Sequence, residues 1–539
     1  MSSSSRSRSG SSSKKIIVYA IIGIIAVAAV SVSVFARPSP TQPQVGGNSN
    51  SNNDAEAREA FEQMWCGKDA MANSNGYITE FVLPQECEMP VGIAVDGDEV
   101  WYVSSKQGLL GSYNISEGRF EEFKIPVWPS LDMPFTALSS WSSSWSVKPD
   151  GKGNIWFTDE KNDALWRFNK ASESFEIFPV PARYPSAMDF DSNGNIWFIG
   201  INSKSLFFGN VAEMKNGTSD GITEIPLPMD AFSGIDPRII TAGMMVVDNE
   251  RNDVWLSLLA FQRKGQLFQY DMDSNEIVRT VDLPADLSSP VGGAIDNLGN
   301  IWVGDHGTNI FFRYSPATDE LTEFTTSVAS PRIFGRDTTP ATAHTWPYWL
   351  QRAEDGSIWF NQHTGNKIAR FDPETRALTE YWIPTQNPNW AACPPNASSC
   401  GIANAMQFAT AQNGQVWFSE WTENKIARLD AAKQVPIAIS ATDEITVARG
   451  NSAEIRVTIS APAEFNGRMI ASSTFTPNGM LGNSTGIFSE ESVSLSGGSK
   501  QISFTFTPAR DVSPGQYVIM VGAENDEISQ LKAVMVNIV

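Results

Sequence analysis

Two hydrophobic patterns divide the chain. Near the start, Ile16 to Phe35 (IIVYAIIGIIAVAAVSVSVF) runs without a charge. Twenty residues at the helical rise reach about 30 Å, the thickness of a bilayer's hydrocarbon core. From residue 77 onward the period changes to two, with short apolar–polar alternations cut by Gly, Asn and Asp turns. That is the pattern of half-buried β-strands. Between the two lies PSPTQPQVGGNSNSNND (38–54), whose composition suits a flexible stalk.

Within the strand-rich region one unit recurs. A Gly or Asp turn leads into an apolar run centred on Trp: Trp101, Trp156, Trp197, Trp255, Trp302, Trp359 and Trp417, spaced 55, 41, 58, 47, 57 and 58 residues apart. Before each Trp stands an apolar strand and a turn. After it come a polar turn, a strand such as NKIARFD (366–372), and an alternating strand ending in Pro such as LTEYWIP (378–384). Four strands per unit at this period is the signature of propeller blades. The seventh unit stops at NKIARLD (424–430) without its outer strand, while a spare copy, YITEFVLP (77–84), precedes the first. An open ring leaves bare sheet edges. The count therefore predicts an all-β, seven-bladed β-propeller whose N-terminal strand, 77–84, closes blade 7 beside 424–430.

The repeat G-x-[IV]-W-F-[TS]-E-x-x-x-N-K-I-[AG]-R-[FIL]-D-P resembles that of the virginiamycin B lyase (streptogramin lyase) family of seven-bladed propellers. The copies GSIWFNQHTGNKIARFDP (356–373) and GQVWFSEWTENKIARLD (414–430) carry the likeness best, and it covers residues 77–433. The resemblance implies a carbon–oxygen lyase that opens an ester or lactone ring by elimination, with two histidines, a glutamate and magnesium. In the family pattern a histidine follows a proline at the start of a first strand. Here those positions read Pro90-Val91-Gly92, Pro290-Val291-Gly292 and Pro347-Tyr348-Trp349.

The strands after Pro436 lack the Trp repeat and predict an immunoglobulin-like β-sandwich, a spacer or adhesion module without Cys or His. The organisation expected is a basic cytoplasmic tail (1–15), one transmembrane helix (16–36), a stalk (37–64), the propeller (65–433) and the sandwich (434–539). Arg6, Arg8, Lys14 and Lys15 flank the apolar run on its N-terminal side. They place the N-terminus inside and the bulk of the chain outside the cell membrane. A cleaved signal peptide ending near Ala36 is the alternative.

Composition adds little to this picture. A formal charge of −21 excludes a basic nucleic-acid footprint. Four cysteines, Cys66, Cys87, Cys393 and Cys400, suit two disulfides in an external protein, and none has metal-binding spacing. Sequons stand at Asn114, Asn216, Asn396 and Asn483. Trp141 and Trp145 in SSWSSSWS either stack on a ligand or pack a loop.

The chemistry-bearing candidates are the three histidines, His306, His344 and His363, all in blades 5 and 6. His306 and His363 each stand four residues after a repeat Trp, so they occupy equivalent positions; all three are expected on one rim. One position earlier in each unit, three after the Trp, lie Asp159, Asp305 and Glu420, with Gln362 in blade 6. Imidazole and carboxylate together suit general acid–base work or a divalent cation such as Mg2+, with Asp305 and Glu420 as its ligands. Two functions follow as expectations: metal-assisted elimination on a small-molecule ester or lactone, or a non-catalytic surface scaffold for a protein or glycan.

Overall fold

The computed structural model describes residues 71–128, 142–327, 344–387, 400–475 and 481–539. The apolar run 16–35, the stalk, Cys66, Trp141, Cys393 and the sequon at Asn396 lie outside them. Among the described residues no helix is long and apolar enough to cross a membrane.

Each Trp unit folds as an antiparallel meander. The third is representative: Pro185–Phe190, Ile196–Gly200, Ser205–Gly209 and Ile222–Pro226 pair in sequence order. The turn chemistry explains the D-x-x-G-N-x-W spelling. Asp296 accepts from the backbone N–H of Leu298 and of Asn300, both at 2.9 Å, and from the indole N–H of Trp302 at 2.9 Å. Asp191 does the same for Asn193, Asn195 and Trp197. One carboxylate thus caps the hairpin and fixes the rotamer of the Trp beside it.

All seven repeat tryptophans are buried. Most meet an aromatic from the third strand of the following unit: Trp101 with Phe168, Trp197 with Tyr270, Trp255 with Tyr314, and Trp302 with Phe371. Trp417 meets Tyr113 of the first unit at 5.6 Å, which carries the contact around the ring. Closure by backbone agrees: Ile78–Val82 runs antiparallel to Lys425–Asp430, pairing Ile78 with Leu429 and Val82 with Lys425.

The expectation of seven separate blades is corrected at one unit. Six stand as separate four-stranded sheets. The meander around Trp359 is instead the start of an eleven-stranded sheet, because its outer strand Ala377–Trp382 pairs with the C-terminal strand Ile528–Ile538. Ala377 faces Lys532 and Tyr381 faces Ile528. That edge is covered by backbone hydrogen bonds along its length, so its residues are mostly buried while the outer strand Glu276–Asp282 alternates exposed and half-buried.

The remaining C-terminal strands build their own apolar core, including Ile455, Val457, Phe504, Phe506, Val534 and Val536. The 21-residue strand Ala453–Ser473 pairs with Ser492–Thr507, and Gly515–Glu524 pairs with Ile528–Ile538. The tip of that last hairpin reaches the ring closure. Glu527 accepts from the N–H of Gly76 at 2.8 Å, and its carbonyl accepts from the N–H of Trp382 at 3.0 Å.

The innermost strands line a central channel of about 550 Å³, from Ile93–Val95 and Val147–Pro149 round to Ala409 and Thr410. One end is plugged by Met89, Val91, Trp145 and Met406, with Tyr348 packed against them. Cys87 and Cys400 are both disulfide-bonded.

Candidate functional site

His306 and His363 follow directly on the strands Ile301–Asp305 and Ile358–Gln362, and each is pinned by its own backbone. His306 donates its N–H to the carbonyl of Ser289 at 2.8 Å, and His363 to that of Trp346 at 3.0 Å. Equivalent positions on adjacent units bring the two rings together: they are stacked 5.5 Å apart at an interplanar angle of 6°. His306 Nε2 and His363 Nδ1 are 3.2 Å apart, and His363 Nε2 lies 3.2 Å from Asn404 Oδ1. Asn404 orients its amide by donating Nδ2–H to Thr422 Oγ1.

The tautomers follow from this network. An amide oxygen only accepts, so His363 carries its proton on Nε2 and accepts at Nδ1. His306 then donates from Nε2, and its Nδ1 holds the free lone pair. Trp346 and Tyr348 flank His306 at 5.2 and 4.6 Å. Burial pushes His363 down to about 4. Burial, and then the neighbouring His363, push His306 well below the usual imidazole range. Both rings are therefore neutral at pH 7.

His344 does not join them. It is half-buried, its backbone carbonyl accepts from Thr364 Oγ1 at 2.6 Å, and burial lowers its pKa. Among the described residues its imidazole bonds to neither of the other two.

The expected cation ligands lie in separate environments. Asp305 accepts from the N–H of Ser289 at 2.8 Å, the N–H of Gly307 at 2.9 Å and Thr308 Oγ1 at 3.1 Å. Burial raises it to about 6. Its oxygens are engaged in tying down the loops that carry His306. Asp159 is engaged likewise, by Ser142, Asn162 and Trp166.

Glu420 is fully buried, and neither of its oxygens meets a donor. Its neighbours are Glu80, Glu423 and, at 4.0 Å, the Lys425 ammonium, which itself pairs with Glu80 at 2.7 Å. Burial first, then the charge of Glu80, drive the Glu420 carboxyl well above the carboxylate range. The equivalent residue one unit earlier shows why. Gln362 donates Nε2–H to Glu380 at 2.6 Å, beside the Lys367–Glu380 pair at 2.9 Å. Glu420 fills the same position and needs a proton to make the same bond. A neutral acid in one unit and a loop-capping carboxylate in another share no neighbour, so the Asp305 and Glu420 side chains do not fit a common Mg2+. Among the described residues no three His, Cys, Asp or Glu side chains group as metal ligands.

Sequence reasoning missed three participants. Asn404 and Tyr348 come from first strands and loops with no repeat signal. Glu160, next to Asp159, accepts from the Trp145 indole N–H at 2.9 Å, and after burial its charge is what raises Tyr348. Trp145 is buried in the channel plug, where Gln407 donates to its carbonyl. It packs a loop and offers no exposed ring.

No family model matches the chain, and no curated protein matches it. Solved structures do. A streptogramin B lyase is 21% identical over 66% of this chain and 97% of its own, with a TM-score of 0.48. A virginiamycin B lyase from Staphylococcus aureus is 18% identical over 66% and 98%, at 0.47. A putative gluconolactonase is 12% identical over 54% and 88%, at 0.32. At these identities the likeness concerns the β-propeller fold alone.

Proposed function

We propose that this chain is a membrane-anchored, externally displayed binding propeller, a scaffold that holds a surface protein or glycan without turning it over. In that reading residues 16–36 are the anchor, and the Trp359 meander is the sixth of seven blades. The strands after residue 434 form an immunoglobulin-like extension. One observation carries the non-catalytic part. Most of the acid–base groups are committed to internal bonds: His306 and His363 to each other, His363 also to Asn404, and Asp305 to two loops, while Glu420 is sealed from solvent beside the Lys425–Glu80 pair. An imidazole with a pKa near 4 is also a weak general base at neutral pH.

The test is turnover. Purified full-length protein is incubated with Mg2+ and a streptogramin-type cyclic depsipeptide, and ring opening is followed by mass spectrometry. The reading expects no product above a heat-denatured control. Product that disappears in His363→Ala would establish the second reading, lyase-type elimination. The observation that favours this second reading is the free lone pair on Nδ1 of His306, beside Tyr348 at one end of the channel.

A further inference from the structure

Remote from the histidines, the first unit contains buried oxygens that lack partners. Tyr102, Gly111 and Glu122 lie in one cross-strand row, since Tyr102 pairs with Gly111 and Gly111 with Glu122. A Cβ on Gly111 would come within 2.5 Å of the Tyr102 hydroxyl. The missing side chain is what lets the phenol lie across the middle strand towards Glu122. Glu88 arrives from the segment after the closing strand, held by its N–H to Asn424 Oδ1 at 2.7 Å.

Gln85 orients both carboxylates. Its backbone N–H donates to Glu88 Oε1 at 2.8 Å, and its Nε2–H to Glu122 Oε2 at 3.1 Å. The other oxygen of each, Glu88 Oε2 and Glu122 Oε1, is buried without a partner, and so is the Tyr102 hydroxyl. Tyr102 and Glu88 are both fully shielded from solvent. The two carboxyl groups touch, and the groups acting on Glu88 after burial include Glu122, whose charge and contact both push it up. Two acids this close, with a third oxygen beside them, are relieved either by a proton shared between them or by a cation bound among the three.

We propose that Glu88, Glu122 and Tyr102 form a binding site for a hard divalent cation of the calcium class. All three protein donors are oxygens, which selects such an ion over zinc or copper, and water completes its shell. The ion would join the segment leaving the ring-closing strand to the outer strand Arg119–Lys124 of the first blade. It would thus brace the closure at the end of the closing pair where Glu88 bonds Asn424.

Calcium alone is the probe. It is titrated into the metal-stripped full chain by calorimetry and thermal melting, alongside Glu122→Gln and Glu88→Gln. The expected result is saturable binding that raises the melting temperature of the wild type. Affinity should fall at least about tenfold in either variant, because one of two anionic ligands is gone. Both amides are isosteric and can donate to the remaining carboxylate, so each variant should fold. No calcium binding in the wild type would overturn the proposal in favour of a shared proton or a buried water. So would binding unchanged in both variants. A variant that fails to fold would count against it as well, because the proposal has the metal-free pair satisfied by an amide.

Discussion

Replacing Trp302 by Ala tests the repeat where its parts converge. The indole is 1% exposed and lies against Phe311 and Phe324 of its own blade and Phe371 of the next, with ring centroids 6.4, 5.6 and 5.3 Å away. A side chain of this type buries about 150–250 Å², which at about 25 cal/mol per Å² gives about 4–6 kcal/mol as an upper bound. Core truncations of Trp cost about 3–5 kcal/mol. The lost bond from the indole N–H to Asp296 adds about 1 kcal/mol, since that carboxylate keeps its bonds from Leu298 and Asn300. Trp302→Ala should therefore lose about 4–6 kcal/mol in urea unfolding. Trp302→Phe keeps the ring contacts, loses only the N–H and part of the area, and should lose about 1–2 kcal/mol. An Ala variant within about 1 kcal/mol of wild type would refute the assignment of this Trp to the inter-blade core. An Ala and a Phe variant of equal stability would refute the division between packing and hydrogen bond.

Four further outcomes are expected. Deleting residues 77–84 should leave Lys425–Asp430 with a bare edge and yield aggregates in size-exclusion chromatography; a monomeric, fully folded deletion would exclude closure by that strand. His363 has its pKa lowered from 6.5 to about 4, so its contribution is present above pH 6.5 and is lost as pH falls toward 4, by about 3 kcal/mol. Melting curves of His363→Gln should show that much less acid sensitivity. Glu420, whose pKa is raised, destabilises progressively as pH climbs above the carboxylate range. Glu420→Gln should copy Gln362 and melt higher than wild type at pH 8 but not at pH 4.5. Lys367→Met strands Glu380 as a buried charge and should cost about 3–5 kcal/mol, whereas the double variant with Glu380→Leu should recover most of it in the same denaturation assay.

The propeller was legible because its signals are local and repeated. The Asp–Gly–Asn turn and the Trp that follows it sit six residues apart and bond to each other, so spacing alone reports the contact. The closing strand was legible by counting. The pairing of Ala377–Trp382 with Ile528–Ile538 was not, because an alternating outer strand reads alike whether its far edge meets water or another strand. The only hint is local, the unusually aromatic Tyr381-Trp382 end. The histidine pair was legible because both residues share one offset from the repeat Trp. His344 lies beside Thr364, next to His363, yet its imidazole bonds to neither ring, because loop position does not fix side-chain direction. Glu420 was read as a cation ligand equivalent to Asp305, and its actual setting depends on Glu80, 340 residues earlier, which no local pattern connects to it.

The sheet shared between Ala377–Trp382 and Ile528–Ile538 also determines how the molecule carries force. Gly76 stands where the chain enters the ring, and Glu527 at the hairpin tip holds it directly. The segment before Gly76 and the C-terminal strands are therefore tied to each other directly at this junction, beside the closing strand Ile78–Val82. Five backbone pairs join the two strands of the shared sheet. A load on the C-terminal strands thus enters the Trp359 meander at its outer strand, the strand farthest from the channel-lining Pro347–Arg352.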